Sequence, residues 1–279
     1  MNQVMKEIVL IIGAMKCGTT SLYYYLSEHP EIAEAREKEP HFFSSDDQFS
    51  KGLNWYYSLW GNSEASKLSL EASTTYTMQP KYPDVVERLA AVKDCSFRFI
   101  YMMRNPFSRI ESHMRHLLAS GLQKQPGIIE EHLAFSEYAK QLDPYIKTFG
   151  RDRIHLLLLE DLENRPKEEL RKICDFLRID PSFRFQRINL VMNSQQTLNL
   201  HPWVRKIYNI PFAKSIGKNI PPSIRQSLYK PFSRPKSLDI KLTDSDYNRI
   251  LTRLAPDLKR LIEEYEIDVN QKWNISTHG

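Results

Sequence analysis

The chain of 279 residues has only three cysteines, Cys17, Cys95 and Cys174, an odd and scattered set. Such a set excludes a disulfide framework and points to a reducing compartment. No run of about eighteen apolar residues occurs, so no membrane-spanning helix is expected. The first residues lead straight into an apolar strand pattern and leave no room for a signal peptide, which makes a cytoplasmic location the expectation. His29, His132, His155 and His201 lack partners at metal-ligand spacing, and no metal site is expected. Internal repeats and low-complexity tracts are absent. The formal net charge of +5 is modest for this size, so free nucleic acid is not the expected partner.

What is present is a hydrophobic fraction of 41%, enough for the core of one large α/β domain. The chain is organised around Ile8–Leu26. The apolar run Ile8–Ile12 reads as a strand buried on both faces, as in a parallel sheet. It breaks at Gly13, a loop of small residues runs to Gly18, and Thr19, Thr20 and Ser21 open an aromatic helix pattern from Leu22 to Leu26. The first N–H groups of a helix have no internal partners and its dipole favours negative charge there, so this is an anion cradle, to which Lys16 adds a full positive charge.

Spacing narrows the kind of anion. Gly13 and Gly18 are separated as in a nucleoside-triphosphate loop, but Thr19 stands where that loop carries its Lys. The lysine sits upstream instead, at Lys16. The strand ending at Met103 is followed by Arg104, where a kinase would more often place a metal-holding Asp. The pattern suits a terminal anion held without a metal.

Along the chain, a loop at His29–Ser50 carries a charge run and then His41, Phe42 and Phe43. A helix is predicted over Gly52–Trp60, a strand over Leu68–Glu71 with a hydroxyl-rich turn at Ser73–Thr75, and an amphipathic helix from Pro83. The strand Arg98–Met103 precedes a helix from Asn105-Pro106 to Ala119. The spacing of Leu133, Tyr138, Leu142 and Ile146 predicts one helix reaching Phe149, followed by the strand Ile154–Leu159 and a helix opened by Pro166. A last helix opens at Thr243 or Asp244 and is expected to break near Pro256, with Trp273 packing the chain's end onto the core. Alternating strands and helices imply a central parallel sheet flanked by helices, an α/β, P-loop-like three-layer fold. Such sheets bind ligands at the carboxyl ends of their strands, where Gly13, Glu71 and Arg104 fall.

The stretch AMKCGTTSLYYYLSEHP resembles the 5′-phosphosulfate loop of sulfotransferases that use 3′-phosphoadenosine 5′-phosphosulfate (PAPS). The run YMMRNPFSRIESHMRH resembles that family's 3′-phosphate motif, with Arg104 and Ser112 at its two key positions. KEPHFF, GLNWYYSLW and EASTTY look like the branch acting on heparan-type glycans and its bacterial relatives. The resemblance covers about Ile8 to Leu177. It implies a metal-independent enzyme that takes PAPS as co-substrate, with residues 1–180 as nucleotide-binding core, 181–242 as a basic, Pro-rich acceptor lid and 243–279 as a C-terminal helix packed on the core. From His201 to Lys241, nine Lys/Arg face a single Asp among six prolines, which suggests a local anionic partner. Ala72 stands where vertebrate heparan-type enzymes often carry Lys, and the acceptor, an alcohol before an amine, stays open among a small molecule, a glycan and a carrier-bound chain.

Roles follow from the chemistry. The family's catalytic lysine maps onto Lys16, which would stabilise charge on the departing bridging oxygen. Gly18, Thr19, Thr20 and Ser21 would hold the 5′-phosphate through N–H and hydroxyl groups. Cys17 has two readings, a reactive thiol near a helix start or a contributor of backbone alone. Arg104 offers a planar fork to a phosphate and Ser112 a hydroxyl; the alternative is a helix-capping Arg and a buried Ser. Glu39 matches the branch's general base, with Pro40, Phe42 and Phe43 as expected apolar surroundings; otherwise it is one charge in a solvated run. His41, on the same face as Glu39 if the segment is extended, would orient it or touch substrate. Beside sulfuryl transfer stand two other readings: a P-loop kinase, and a nucleotide-binding module without catalysis.

Overall fold

The computed structural model describes residues 6–61, 66–188 and 241–275. Five strands form one sheet: β1 (Lys6–Gly13), β2 (Ile32–Glu34), β3 (Leu68–Ala72), β4 (Cys95–Met103) and β5 (Ile154–Leu158), in the order β2-β3-β1-β4-β5. Every pairing is parallel. β1 is central because it is apolar on both faces: Ile8, Val9, Leu10, Ile11 and Ile12 are all buried, and each is worth roughly 1.5–3 kcal/mol relative to exposure. The helices are α1 (Thr19–Leu26), α2 (Asp46–Phe49), α3 (Gly52–Ser58), α4 (Val85–Ala91), α5 (Pro106–Ala119), α6 (Glu130–Ala134), α7 (Tyr138–Phe149), α8 (Leu159–Asn164), α9 (Pro166–Leu177), α10 (Asp244–Tyr265) and α11 (Val269–Trp273). They flank the sheet, as the strand–helix alternation predicts.

The strand order reverses direction between β1 and β4. The loops leaving these two strands therefore diverge and leave a crevice at their carboxyl ends. The loop after β1 carries Lys16 and the turn after β4 carries Arg104, so topology alone sets both beside one crevice.

Four local expectations change. The 29–50 segment is not all loop: Ile32–Glu34 adds the edge strand beside β3, and Asp46–Phe49 forms a short helix whose N-cap is Ser45. The helix expected through Phe149 is two, α6 and α7, separated at 135–137. A further short helix, α8, precedes the one opened by Pro166. Finally, α10 runs unbroken through Pro256. Its apolar face continues across the proline as Ile250, Leu254, Leu258 and Leu261, and Asp257 accepts the backbone N–H groups of Ala139 (3.1 Å) and Lys140 (2.9 Å) at the start of α7. That docking outweighs the intrinsic cost of an interior proline.

Two compact units are separable, residues 1–186 with 240–279, which hold the sheet, and residues 187–239. The basic segment 201–241 lies outside the described residues except for Lys241. Among the described residues no helix is long and apolar enough to cross a membrane.

Candidate functional site

The loop between β1 and α1 is shaped by two glycines and one lysine. Gly13 has φ 152° and a Cβ there would lie 1.9 Å from Thr77 Oγ1, whose hydroxyl donates to the carbonyl of Ile12 at 2.8 Å. Gly18 (φ 85°) is the N-cap of α1, and a Cβ there would meet Leu159 Cδ1 at 2.6 Å. Gly18 has no side chain to cap α1; its carbonyl accepts the N–H groups of Ser21 (3.0 Å) and Leu22 (3.2 Å), so Thr19 and Thr20 carry the N–H groups that a helix start offers to an anion. Lys16 is held at φ 72°, a conformation uncommon for a side-chain-bearing residue. Thr19 is buried, Ser21 half-buried and Thr20 exposed.

Cys17 is fully buried, and burial pushes its thiol up to about 11, so it is protonated at neutral pH. Its Sγ lies 3.7 Å from the Tyr138 hydroxyl, which donates its own hydrogen to the carbonyl of Arg104 at 2.7 Å. The thiol itself donates to the Met15 carbonyl, 3.9 Å from Sγ. Cys17 is thus a tether, not a thiolate: one tyrosine ties the loop after β1 to the turn after β4. Sequence reasoning missed Tyr138 because only its helical spacing is visible in the chain.

The turn at Arg104 is built from local chemistry. Asn105 caps α5, its Oδ1 accepting from the N–H groups of Phe107 (3.0 Å) and Ser108 (3.3 Å), with Pro106 at the first helical position. The Asn105 N–H donates to Glu160 Oε1 at 2.9 Å, and its side-chain amide donates to the Trp273 carbonyl at 3.2 Å. Trp273 is buried and faces Tyr138, as expected for the end of the chain. Arg104 and Ser112 are both half-buried, Ser112 lying about two turns into α5. Arg109 is fully buried and donates to Ser136 Oγ (2.7 Å), to the His132 carbonyl (2.5 Å) and to the Met15 carbonyl (3.5 Å) in the lysine loop. Burial, with the Arg109 charge adding to it, pushes His113 down to about 2 and His132 to about 4. Both imidazoles are neutral at physiological pH.

Across the crevice, the segment after β2 runs beside β3: Ala35 N–H donates to the Leu70 carbonyl (3.1 Å) and Ala72 N–H to the Lys38 carbonyl (3.2 Å). Glu39 then pairs with Lys38 through Oε1 and faces His41 Nε2 through Oε2 at 4.0 Å. The expected extended geometry does not occur here. His41 has φ 53°, and this left-handed turn, not strand alternation, brings the imidazole to the carboxylate. The same reversal turns Phe42 and Phe43 into the core, where they pack on Tyr56 at ring separations of 4.5 and 5.1 Å. They therefore do not wall off Glu39, whose side chain is 35% exposed.

A buried carboxyl stands on the neighbouring strand, Glu71, one residue before the end of β3. It has no exposure and accepts from Tyr56 (2.6 Å) and Ser73 (2.6 Å) hydroxyls. Desolvation raises its pKa to about 7 against the lowering effect of those hydroxyls, and the charge of Glu39 adds to the rise. A lone acid in the short strand LSLEA, whose other residues are apolar or small, is the signal available in the sequence. Beside His41 and Thr75 opens a polar cavity of about 520 Å³, lined also by Ser44, Asp47, Gln48 and Tyr82. The site thus combines a lysine in the loop after β1, an arginine at the neighbouring strand end, and an acid–imidazole pair with a cavity beside it.

Comparison with known proteins gives the family. The mouse protein heparan sulfate glucosamine 3-O-sulfotransferase 5 is 26% identical over 202 residues, covering 66% of this chain and 56% of its own. Mouse heparan sulfate glucosamine 3-O-sulfotransferase 3B1 is 30% identical over 186 residues, covering 60% and 45%. The chain thus spans about half the length of these curated relatives. A crystal structure of a sulfotransferase from Alicyclobacillus acidocaldarius superposes with TM-score 0.65 at 22% identity, covering 96% of this chain and 98% of that one, which shows a shared fold. Residues 6–200 match the family model described as the sulfotransferase domain, and since they make up most of the chain, it belongs to the sulfotransferase family.

Proposed function

We propose that this protein transfers the sulfuryl group of PAPS to a hydroxyl acceptor by in-line displacement, without a metal. The observation that carries the reading is the pairing of a lysine-bearing anion loop with Arg104 at adjacent strand ends, joined by Tyr138. One nucleotide with phosphate at both its 3′ and 5′ positions suits that pair. The first-turn N–H groups of α1, with Thr19, Thr20 and Ser21, take the 5′-phosphate, and Arg104 with Ser112 takes the 3′-phosphate.

In the reaction the acceptor oxygen attacks sulfur and the bond from sulfur to the bridging phosphate oxygen breaks. The acceptor's proton passes to Glu39, and the bridging oxygen leaves with its electron pair as part of 3′-phosphoadenosine 5′-phosphate (PAP). Lys16 stabilises that oxygen as its charge grows, an interaction stronger in the transition state than before it. His41, 4.0 Å from Glu39, orients the carboxylate. The names of the relatives, 3-O-sulfotransferases, favour a hydroxyl over an amine as acceptor. A kinase reading finds no support at the loop, because Thr19 occupies the position of the P-loop lysine. Three free, buried cysteines suit a reducing compartment such as the cytoplasm.

The test is turnover of PAPS with a panel of alcohols, amines and glycans, followed as PAP release and as sulfated product, with and without chelator. Stoichiometric PAP and sulfate ester at unchanged rate in chelator is the expected result. Phosphoryl transfer from ATP that needs magnesium, with no PAPS consumption, would overturn the reading.

A further inference from the structure

Glu71 lies behind the reaction centre and no step above uses it. A buried carboxyl is expensive to keep, and a hydrophobic residue of similar volume would be cheaper there. The groups that face it are Tyr56 from α3, Ser73 and Tyr76 from the turn after β3, Tyr23 from α1, Tyr145 from α7, and Glu39 from the adjoining loop. Its hydrogen bonds have a direction. Ser73 donates its one hydrogen to Glu71 Oε1 at 2.6 Å, which leaves the Ser73 lone pairs as acceptors. One of them receives the backbone N–H of His41 at 3.2 Å.

His41 needs that hold. Its φ of 53° is unfavourable for a residue with a Cβ, and it persists only where surrounding contacts determine it. The second contact is its own ring: Nδ1 lies 3.0 Å from Thr75 Oγ1, which in turn lies 2.6 Å from Ser44 Oγ. The backbone bond fixes the turn and the ring bond fixes the imidazole plane, and together they set Nε2 4.0 Å from Glu39 Oε2. A continuous line of contacts therefore runs from the buried acid to the exposed one, across 32 residues of sequence at the His41–Ser73 step.

We propose that Glu71 and Ser73 are positioning residues for catalysis, acting through the left-handed turn at His41 to aim Glu39 at the acceptor. The proposal rests on the reading of Glu39 as general base. Glu71 orients the Ser73 hydroxyl, Ser73 fixes the His41 turn, and His41 restrains the carboxylate of Glu39. These groups belong to β3, the turn after it and the loop after β2, whereas the proposed nucleotide grips follow β1 and β4, so the effect of losing them is expected on the chemical step.

The test is a double-mutant cycle with PAPS and an acceptor that wild type turns over. Ser73→Ala is expected to lower kcat by about tenfold or more while PAP affinity stays within about twofold of wild type. In a Glu39→Gln background the same change is expected to cost less than about twofold, because the aimed group is already gone. Glu71→Leu should resemble Ser73→Ala, and Glu71→Gln, which keeps a carbonyl oxygen for Ser73, should recover most of the loss. Equal losses in both backgrounds, or kcat unchanged in Ser73→Ala, would overturn the proposal. Should Glu71→Leu fail to fold, Ser73→Ala carries the test, with PAP affinity as the check on folding. If Glu39→Gln alone leaves kcat intact, what fails is the assignment of the base, a result distinct from failure of the cycle.

Discussion

Replacing Lys16 by Ala is expected to lower kcat for sulfuryl transfer by about 10³-fold, the upper range for removing one donor from a developing oxyanion. The charge on the bridging oxygen grows as the sulfur–oxygen bond breaks, so the ammonium gains most at the transition state and the loss appears in kcat more than in KM. Geometry sharpens the expectation. Lys16 sits in the loop at φ 72°, between two glycines whose own conformations exclude a Cβ, and the Met15 carbonyl beside it is held by buried Arg109. The backbone thus commits the lysine to one place. Arg at position 16 carries the same charge on a longer, planar head, and it is expected to restore little of the rate. Single-turnover rates with saturating PAPS measure the effect directly. A Lys16→Ala rate within tenfold of wild type would remove the lysine from the chemical step.

The second large effect is expected at Glu39. Glu39→Gln keeps the shape and the Lys38 contact partner but cannot take a proton, and kcat should fall by about 10²- to 10⁴-fold, the usual range for a general base. Affinity for PAP should change by less than about threefold, because the proposed role of Glu39 is toward the acceptor and not the nucleotide. Pre-steady-state product formation separates the two quantities. If Glu39→Gln weakens nucleotide binding instead and leaves the chemical step alone, Glu39 belongs to the nucleotide site and the base must be sought elsewhere.

The parts of the fold that were legible in the chain are those whose causes are local. Ile8–Ile12 is apolar at every position, Asn105-Pro106 is a cap followed by a first-turn proline, and Gly13 and Gly18 mark the two ends of a loop. Each is decided by residues adjacent in sequence, and each was read close to its observed bounds. The misses share the opposite property. β2 spans three residues within a charge run, and it is a strand only because β3 offers it a parallel edge. Pro256 does not break α10 because Asp257 and the apolar residues on either side of it are docked elsewhere in the unit.

The same division holds in the site. The positions of Lys16 and Arg104, at a strand end followed by a helix start, are visible in the chain because that pattern is a local motif. The His41 turn was not, since it depends on a hydroxyl 32 residues away, and neither was the link through Tyr138, 121 residues from Cys17. Burial of Glu71 likewise requires Tyr56 and Tyr76 to converge from two different elements. Spacing in the chain carries no information about such meetings.

The most direct measurement is calorimetric titration of the wild-type protein with PAP and, separately, with 5′-AMP, which lacks the 3′-phosphate. Two anion grips on one nucleotide require PAP to bind tighter by roughly 100-fold, about 2.7 kcal/mol, with that margin lost in Arg104→Ala. Equal affinities for the two nucleotides in the wild-type protein would contradict it.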